Sequence, residues 1–383
     1  MPFIFSLLLL LSFSTPQQAH AATLLQDVTT ISKAKVLEIK SQTLEAVPGT
    51  DTTTTVQTLV AEVIDGPDKG SVVTFDNDFV VLKAGDLFYL SKVVSAESGQ
   101  TIYSVNDAYR LNAILFFVIL FVLLVVIFGG WQGIRGLVSL IGSLALILYV
   151  LLPGILHGIS PIFLSIVVAS LIIVVGSYIT HGFTKTTTSA VLGMIITVAL
   201  SGLLAYYAIG ATHLTGFESE ESVFLNLDTS GSINFVGLLL GGMLIGLLGV
   251  LYDAAIGQAV AVDELHRVAP HLSRLTIYKR AIRIGKEHIG ALVNTLAIAY
   301  VGVSLPLLLL FSTSSYPILQ LINRENFATE IIRTMIGSIG LVLAVPITTL
   351  IAVLLLVRSQ KDRTNEAGLK SEEEALEHFE HHH

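Results

Sequence analysis

Two patterns of hydrophobic and polar positions divide the chain near residue 108. Between residues 23 and 108, apolar and polar positions alternate in short runs separated by turn residues such as Pro48-Gly49. Alternation with a period of two is typical of strands with one buried face. We expect strands at about 35–39, 53–64, 71–75, 86–94 and 101–105. This spacing predicts a small all-β barrel or sandwich.

After residue 108 the apolar runs are long enough to cross a bilayer, which takes about 20 residues per helix. Pro306 and Pro346 fall inside two of these runs, and we expect Pro306 to end or bend its helix and Pro346 to kink its own. The predicted fold class is an α-helical polytopic membrane protein with an N-terminal β domain. About seven spans are predicted, near 112–129, 135–153, 159–180, 187–209, 234–258, 289–311 and 331–357.

The two ends of the chain differ from both patterns. Residues 1–22 are typical of a signal peptide, because a short apolar core precedes the small-x-small site Ala19-His20-Ala21. An uncleaved anchor is the alternative, and either would export the β domain at 23–108. The helical domain then covers 109–358. A charged tail follows at 359–383, and its His-rich end is either native or the remnant of a tag.

Charged residues alternate in sign from loop to loop between the predicted spans. Glu218, Glu220 and Glu221 share one loop, whereas Lys and Arg gather in the loops on the opposite side. This positive-inside pattern places the β domain outside the cell and the C-terminus in the cytosol. The longest basic loop carries Arg267, Arg274, Lys279, Arg280, Arg283 and Lys286.

The basic loop also contains helix signals. Residues 263–267 can continue the fifth span inward, and Ser273 can cap a short helix over residues 274–287. A basic amphipathic helix beside a membrane usually lies along anionic lipid. Docking of a soluble cytosolic partner is the alternative.

Composition excludes several classes of function. The 383 residues are 53% hydrophobic and 13% charged, with a mean hydropathy of +0.77. Cysteine is absent, which excludes disulfides, thiolate metal sites and cysteine nucleophiles. The net charge of −8 does not indicate a nucleic-acid partner, because the two signs are segregated along the chain.

One acidic residue inside a predicted span is the main candidate for function. Asp253 ends a glycine-rich apolar run, and a carboxylate near the centre of a membrane helix costs roughly 2.5–3.5 kcal/mol on insertion scales. At helical spacing it shares a stripe with four glycines, which predicts close helix packing that turns the carboxylate into a bundle. These glycines are Gly242, Gly246, Gly249 and Gly257.

The sixth span offers a partner for this carboxylate. Asn294 lies as deep from the cytosolic face as Asp253 does, and consecutive helices run antiparallel. Gly290 and Thr295 lie beside it on a small-residue stripe, so we expect an Asp253–Asn294 seam. The functional interpretation is a substrate or ion site formed by Asp253, Asn294 and Thr295. The alternative is a structural hydrogen bond or a snorkelling carboxylate.

No other motif indicates chemistry. Asp263, Glu264, His266 and His271 match no metal-ligand spacing, and no catalytic Ser/His/Asp order or HExxH pattern occurs. The glycine-rich runs lie in membrane spans and are not followed by Gly-Lys-Ser/Thr, so they are not phosphate loops. We therefore expect no enzyme activity, no catalytic residue, no metal and no cofactor.

Three segments carry a resemblance to a known family. They are Gly246-Leu-Leu-Gly-Val-Leu-Tyr-Asp253, Asp263-Glu-Leu265 before Pro270, and Gly285-Lys-Glu-His-Ile-Gly290 leading into Asn294. The chain resembles the YibE/F-like family of bacterial multispanning membrane proteins over nearly its whole mature length. The resemblance implies a bacterial plasma-membrane protein with an extracytoplasmic β module, and it implies no defined substrate.

Two functions are consistent with these observations. The first is a permease for a small solute or ion with Asp253 and Asn294 near its site. The second is a non-transporting scaffold or subunit of a larger complex, which recruits partners through the β domain and the basic loop. The lipid bilayer is the expected partner, with either self-association or pairing with a homologous membrane subunit in addition.

Overall fold

The structure of the chain is a computed structural model that describes residues 27–96 and 98–357. The predicted signal peptide and charged tail lie outside these residues. The chain divides near residue 121 into two compact units, the first containing the β-strands and the second most of the helices.

Five strands form one antiparallel sheet in the order β3-β2-β1-β4-β5. The long β1 pairs with β4 through its first half and with β2 through its second half, and register shifts near Glu38 and Ser41 mark irregularities that bend it. Edge strands β3 and β5 approach each other without a hydrogen-bonded ladder. The strands are β1 (Val28–Ala46), β2 (Thr53–Val63), β3 (Val72–Asn77), β4 (Leu87–Val94) and β5 (Thr101–Ala108).

This sheet corrects the predicted barrel or sandwich. It is a half-barrel, because only four strand pairs are hydrogen-bonded among the described residues and no second sheet covers it. Alternate residues such as Leu59, Ala61 and Val63 are buried, as the period of two predicted. Buried Gln57 accepts from the backbone N–H of Leu82 at 2.8 Å and donates to its carbonyl at 2.9 Å.

Ten α-helices lie in the described residues after the sheet. A π-helical turn, Ile147–Leu151, joins the first two, and Ser273 caps the seventh by accepting from the N–H of Thr276. They are α1 (Leu111–Leu146), α2 (Leu152–Leu156), α3 (Pro161–His181), α4 (Lys185–Ala211), α5 (Glu220–Asp228), α6 (Phe235–Val268), α7 (Arg274–Val303), α8 (Leu305–Ser312), α9 (Ile318–Ile322) and α10 (Glu325–Leu356).

The number of membrane-spanning helices differs from the prediction. Among residues 27–96 and 98–357, five helical segments are long and apolar enough to cross a bilayer, or six if α7 and α8, which meet at 65°, form one span. The predicted count of seven is not confirmed, because the first two predicted spans fall in one helical stretch, Leu111–Leu156. That stretch breaks at Gly130, where φ is 54° and ψ is −139°.

Helices α6 and α7 are longer than predicted. Helix α6 continues to Val268, as expected from residues 263–267, but the short helix predicted over 274–287 is the start of α7, which runs on to Val303. The break between α7 and α8 falls just before Pro306, which confirms the predicted bend. Helix α10 continues through Pro346.

Helix α6 lies at the centre of a bundle with α3, α4, α7 and α10. Close approach between these helices depends on glycines at their contacts. A Cβ at Gly193 would lie 2.2 Å from Oγ1 of Thr348, and one at Gly241 would lie 2.3 Å from Oγ of Ser165. Since real Cβ atoms do not approach this closely, these seams need residues without side chains.

Candidate functional site

Asp253 lies midway along α6, about 27 Å from Phe235 at 1.5 Å per residue. Its exposed side chain borders a cavity of about 390 Å³ between α6, α3 and the part of α1 that follows Gly130. Ser139, Ser143 and Tyr252 are the other polar residues of this lining. Within the part of the chain that the structure describes, the carboxylate has no hydrogen-bond or ion-pair partner. It therefore faces open space between helices.

The predicted seam between Asp253 and Asn294 is wrong. Asn294 and Thr295 are exposed on α7 and do not line the Asp253 cavity, and Thr295 donates to the carbonyl of Ala291. The α6–α7 contact is made instead by buried Gln258, whose Nε2 donates to the carbonyl of Ala281 at 2.8 Å. Five residues separate Asp253 from Gln258, which is a rotation of about 140° on a helix. Equal depth from the cytosolic face placed the two residues at the same level along their helices. It did not determine the direction in which each side chain points.

The predicted close packing at the glycine stripe is also wrong. A Cβ at Gly242, Gly249, Gly257 or Gly290 would meet nothing within 4 Å, and one at Gly246 would only touch the hydroxyl of Tyr300 at 3.4 Å. Gly242 and Gly249 face cavities, whereas the neighbouring Gly241 faces Ser165. The stripe therefore leaves empty space beside α6.

A second cavity, of about 420 Å³, adjoins the N-terminal part of α6. We call it the Glu218 cavity, because one carboxylate oxygen of Glu218 is buried there without a hydrogen-bond partner in the described residues. Glu221 also lines it, and the pKa of that carboxyl lies below its ordinary value because it accepts from its own backbone N–H and from Ser219. Gly242 and Ile245 of α6 form part of its wall.

An arginine on α10 forms ion pairs with two carboxylates at the Glu218 cavity. Arg333 bonds the other carboxylate oxygen of Glu218 at 2.7 Å and also pairs with Glu330 one turn earlier on its own helix. All three side chains are about three-quarters buried. Because two carboxylates share one guanidinium, the positive charge of Arg333 is already satisfied within the protein.

A separate contact fixes the loop that precedes Glu218. The carboxylate of Glu325 accepts from the N–H and hydroxyl of Thr215 at 2.7 and 2.8 Å, and from the N–H of Gly216 at 2.9 Å. Gly216 has φ near +85°, and a Cβ there would lie 2.4 Å from the carbonyl oxygen of Phe235. Only glycine fits this turn, and the turn presents Glu218 to Arg333.

A third cavity, of about 270 Å³, adjoins the C-terminal part of α6. We call it the His181 cavity. Its wall contains Thr186, whose hydroxyl donates to Asp263 at 3.1 Å. Arg267 pairs with Asp263 and with Glu264, so this cavity also combines two acids with one arginine.

The three cavities lie in sequence on one face of α6. The Glu218 and Asp253 cavities share Ile245. The Asp253 cavity borders Tyr252, whose ring lies 5.9 Å from that of His181 in the next cavity. The α6 residues that line them recur every three or four positions, which is one face of a helix.

We call this face and its cavities the α6 cleft. Its α6 wall comprises Leu238, Leu239, Gly241, Gly242, Ile245, Leu248, Gly249, Tyr252, Asp253, Ile256, Ala259, Val260, Asp263, Glu264 and Arg267.

The predicted basic loop is divided by the structure. Arg267 belongs to the cleft, and Arg274 donates from Nε to the carbonyl of Val357 at 2.8 Å. The other four cations are exposed along the first half of α7, whose opposite face is buried through Ile277 and Ala281. These cations are Lys279, Arg280, Arg283 and Lys286.

Sequence reasoning missed several cleft residues. Arg333 and Glu330 lie at the start of the seventh predicted span, where an arginine in an apolar segment is itself a signal of function. Ser139 and His181 gave no such signal, because small polar residues and a histidine at a helix end are common in membrane helices. In the described residues, no group of three or more His, Asp or Glu could hold a metal ion.

Comparison with known proteins gives one match. The family model described as YibE/F-like protein matches residues 117–358, which is more than half of the chain and includes every residue of the cleft. No curated protein and no solved structure matches the chain.

Proposed function

We propose that this chain, which belongs to the YibE/F-like family, is a membrane permease that carries a small solute or ion along the α6 cleft. The observation that carries the proposal is the succession of three cavities, each lined by at least one carboxylate, on one face of a single apolar helix. Binding sites of transporters typically lie near the bilayer midplane between helices. Asp253 in the middle cavity has such a position along α6.

The length of the cleft supports transport rather than an isolated pocket. From Leu238 to Arg267 the lining residues of α6 cover about 44 Å at 1.5 Å per residue. A bilayer has a hydrocarbon core of about 30 Å and about 40–45 Å with its headgroups. A cleft of this length reaches both headgroup layers when α6 crosses the membrane.

The glycines of the cleft support the same function. In a helix that only packs against others, glycines with no neighbour would add flexibility without improving a contact. Gly242 and Gly249 have no atom within 4 Å of a Cβ position, and each lines a cavity. They keep the cleft wide at the turns before and after Ile245.

The distribution of charge supports one orientation of the cleft. The exposed cations of α7, including Lys279 and Arg283, follow the end of α6 that carries Asp263, whereas Glu218 and Glu221 precede its start. By the positive-inside rule we propose that the Asp263 end faces the cytosol of a bacterial cell and that the β domain lies outside. Cargo would then pass between the Glu218 cavity outside and the His181 cavity inside.

Flux through reconstituted protein tests the proposal. The flux of inorganic ions, amino acids, small organic acids and amines is first measured in proteoliposomes. Each flux is compared with that of empty liposomes. Gly242→Leu and Gly249→Leu fill empty space in the cleft, so we expect normal folding and loss of flux. Gly257→Leu is the matched control, because Gly257 is equally open on the same helix but lines none of the three cavities. Flux unchanged in all three variants would refute transport through the cleft.

The scaffold function is the alternative, and one observation favours it. The four cations of α7 are exposed in the described structure, so a cytosolic partner can reach them. This function predicts that Gly242→Leu leaves cellular activity intact, whereas replacing Lys279, Arg280 and Arg283 by Gln abolishes it. A complementation assay with both variants separates the two functions.

A further inference from the structure

We infer that the cargo of the α6 cleft is a small monovalent cation, either inorganic or a small ammonium compound, and that Asp253 sets this charge selectivity. The inference rests on the proposed function, because it concerns what passes through the same cleft. It is based on the carboxylates of the three cavities, which outnumber the arginines that pair with them.

Both arginines of the cleft are already paired with carboxylates. Arg333 is held between the carboxylates of Glu218 and Glu330, and its side chain is only 23% exposed. Arg267, whose side chain is 67% exposed, pairs with Asp263 at 3.0 Å and lies 3.6 Å from Glu264. At each arginine an anionic cargo would therefore compete with two carboxylates for the guanidinium.

The lining of each cavity carries one negative charge in excess. In the Glu218 cavity, Glu218 and Glu221 oppose Arg333, and in the His181 cavity, Asp263 and Glu264 oppose Arg267. The Asp253 cavity has no charge other than Asp253. At the middle cavity the single charge of Asp253 matches a monovalent cation, since a divalent ion would leave this cavity positively charged. At the Glu218 cavity Arg333 also pairs with Glu330, so the excess of negative charge there is larger.

The partners of the excess charges are missing from the described protein. One oxygen of Glu218 is buried without a hydrogen-bond partner, and Asp253 has neither a hydrogen bond nor an ion pair. Burying a carboxylate or placing it in a membrane costs free energy unless it is paired. A bound cation would supply the pairing that the described protein does not give to these two carboxylates. Ser139 and Ser143 beside Asp253 supply further oxygen atoms for such a cation.

The sizes of the cavities fit this cargo. At about 30 Å³ per water molecule, volumes of 270–420 Å³ correspond to roughly 9–14 water molecules, so each cavity has room for a hydrated monovalent ion or a small ammonium compound. The Asp253 cavity is otherwise lined mostly by aliphatic residues, which concentrates the field of its one charge.

The absence of cysteine from the sequence makes a direct measurement of the sign of charge in the cleft feasible. Gly249→Cys introduces one thiol a single turn before Asp253, in open space. Its rates of modification by a trimethylammonium-ethyl and a sulfonatoethyl methanethiosulfonate are compared, each relative to a free thiol. We expect the cationic reagent to be favoured about tenfold. Adding Asp253→Asn should remove the preference, and adding Asp253→Lys should reverse it.

Gly302→Cys on α7 is the control, because a Cβ there also meets nothing within 4 Å and Gly302 lines none of the three cavities. We expect its reaction rates not to respond to Asp253 substitutions. Uptake of rubidium and of chloride into proteoliposomes gives the second readout, with rubidium uptake expected to fall in Asp253→Asn. Equal reaction of both reagents at Gly249→Cys, together with flux that Gly242→Leu blocks, would overturn the cation inference and leave the permease intact. Flux that Gly242→Leu does not affect would overturn the permease itself.

Discussion

Two kinds of position on helix α6 use the same residue types for opposite purposes. At positions in contact with a neighbouring helix, Gly241 lies against Ser165 and Gln258 is 4% exposed with its amide bonded to Ala281. At positions that border open space, the adjacent Gly242 has no atom within 4 Å of a Cβ and Asp253 has no hydrogen-bond partner among the described residues. Glycine and a polar side chain therefore stabilise contacts at the first kind of position and leave space and charge at the second. The number of such residues in an apolar span says less about function than the direction in which each one points.

The largest difference is expected between the two adjacent glycines. Gly241→Leu forces a side chain into Ser165, and overpacking of this kind should destabilise the protein by about 3 kcal/mol or more. Gly242→Leu places the same side chain in open space and should leave stability within about 0.5 kcal/mol of the parent. Unfolding midpoints in detergent, with the yield of monodisperse protein, measure both. Similar losses in the two variants would show that these two positions do not differ as described.

The two polar residues of α6 should give a smaller contrast. Gln258→Ala removes a buried hydrogen bond and leaves the carbonyl of Ala281 unsatisfied, which should cost about 2 kcal/mol. Asp253→Ala removes a carboxylate that bonds to nothing in the described protein, so stability should not fall. Chemical unfolding in mixed micelles compares the two free energies. A loss of stability in Asp253→Ala as large as in Gln258→Ala would make Asp253 structural.

The smallest effect concerns the loop at the Glu218 end of the cleft. Glu325→Ala removes the acceptor of three hydrogen bonds from Thr215 and Gly216, and we expect a local loss of about 1 kcal/mol. Limited proteolysis should then cut faster within residues 212–219. Glu220→Ala is the control, because this exposed carboxylate on α5 is not the acceptor of those three hydrogen bonds. Equal cleavage rates in the two variants would show that Glu325 does not hold the loop.

Local signals in the sequence predicted local structure well. The period of two located the five strands, although β1 (Val28–Ala46) is much longer than the predicted 35–39. Ser273 identified the start of α7, and Pro306 identified the break before α8. Each of these depends on residues a few positions apart, which contact one another whatever the rest of the chain does. The half-barrel was not predictable in the same way, because closure of a sheet depends on bends in β1 and on how closely β3 approaches β5.

The candidate site was predicted in part. Asp253 lies in a cleft, but its seam with Asn294 does not exist and the glycine stripe does not pack. Depth along two antiparallel helices follows from counting residues, whereas the rotation of each helix depends on all of its neighbours at once. Arg333 and Glu330 join Glu218 across more than a hundred residues of sequence, and only folding brings them together.

The sequence by itself determined that this chain is a membrane protein of apolar helices with a β-rich module before them, because hydropathy and periodicity are properties of short segments. It also determined that Asp253 would be costly to bury, since that cost follows from its charge alone. The tertiary structure decided which face of α6 packs and which borders a cleft, because that depends on the side chains that other helices place opposite each position. The empty space beside Gly242 and Gly249 therefore depends on how the helices pack, although the sequence supplies the glycines that permit it.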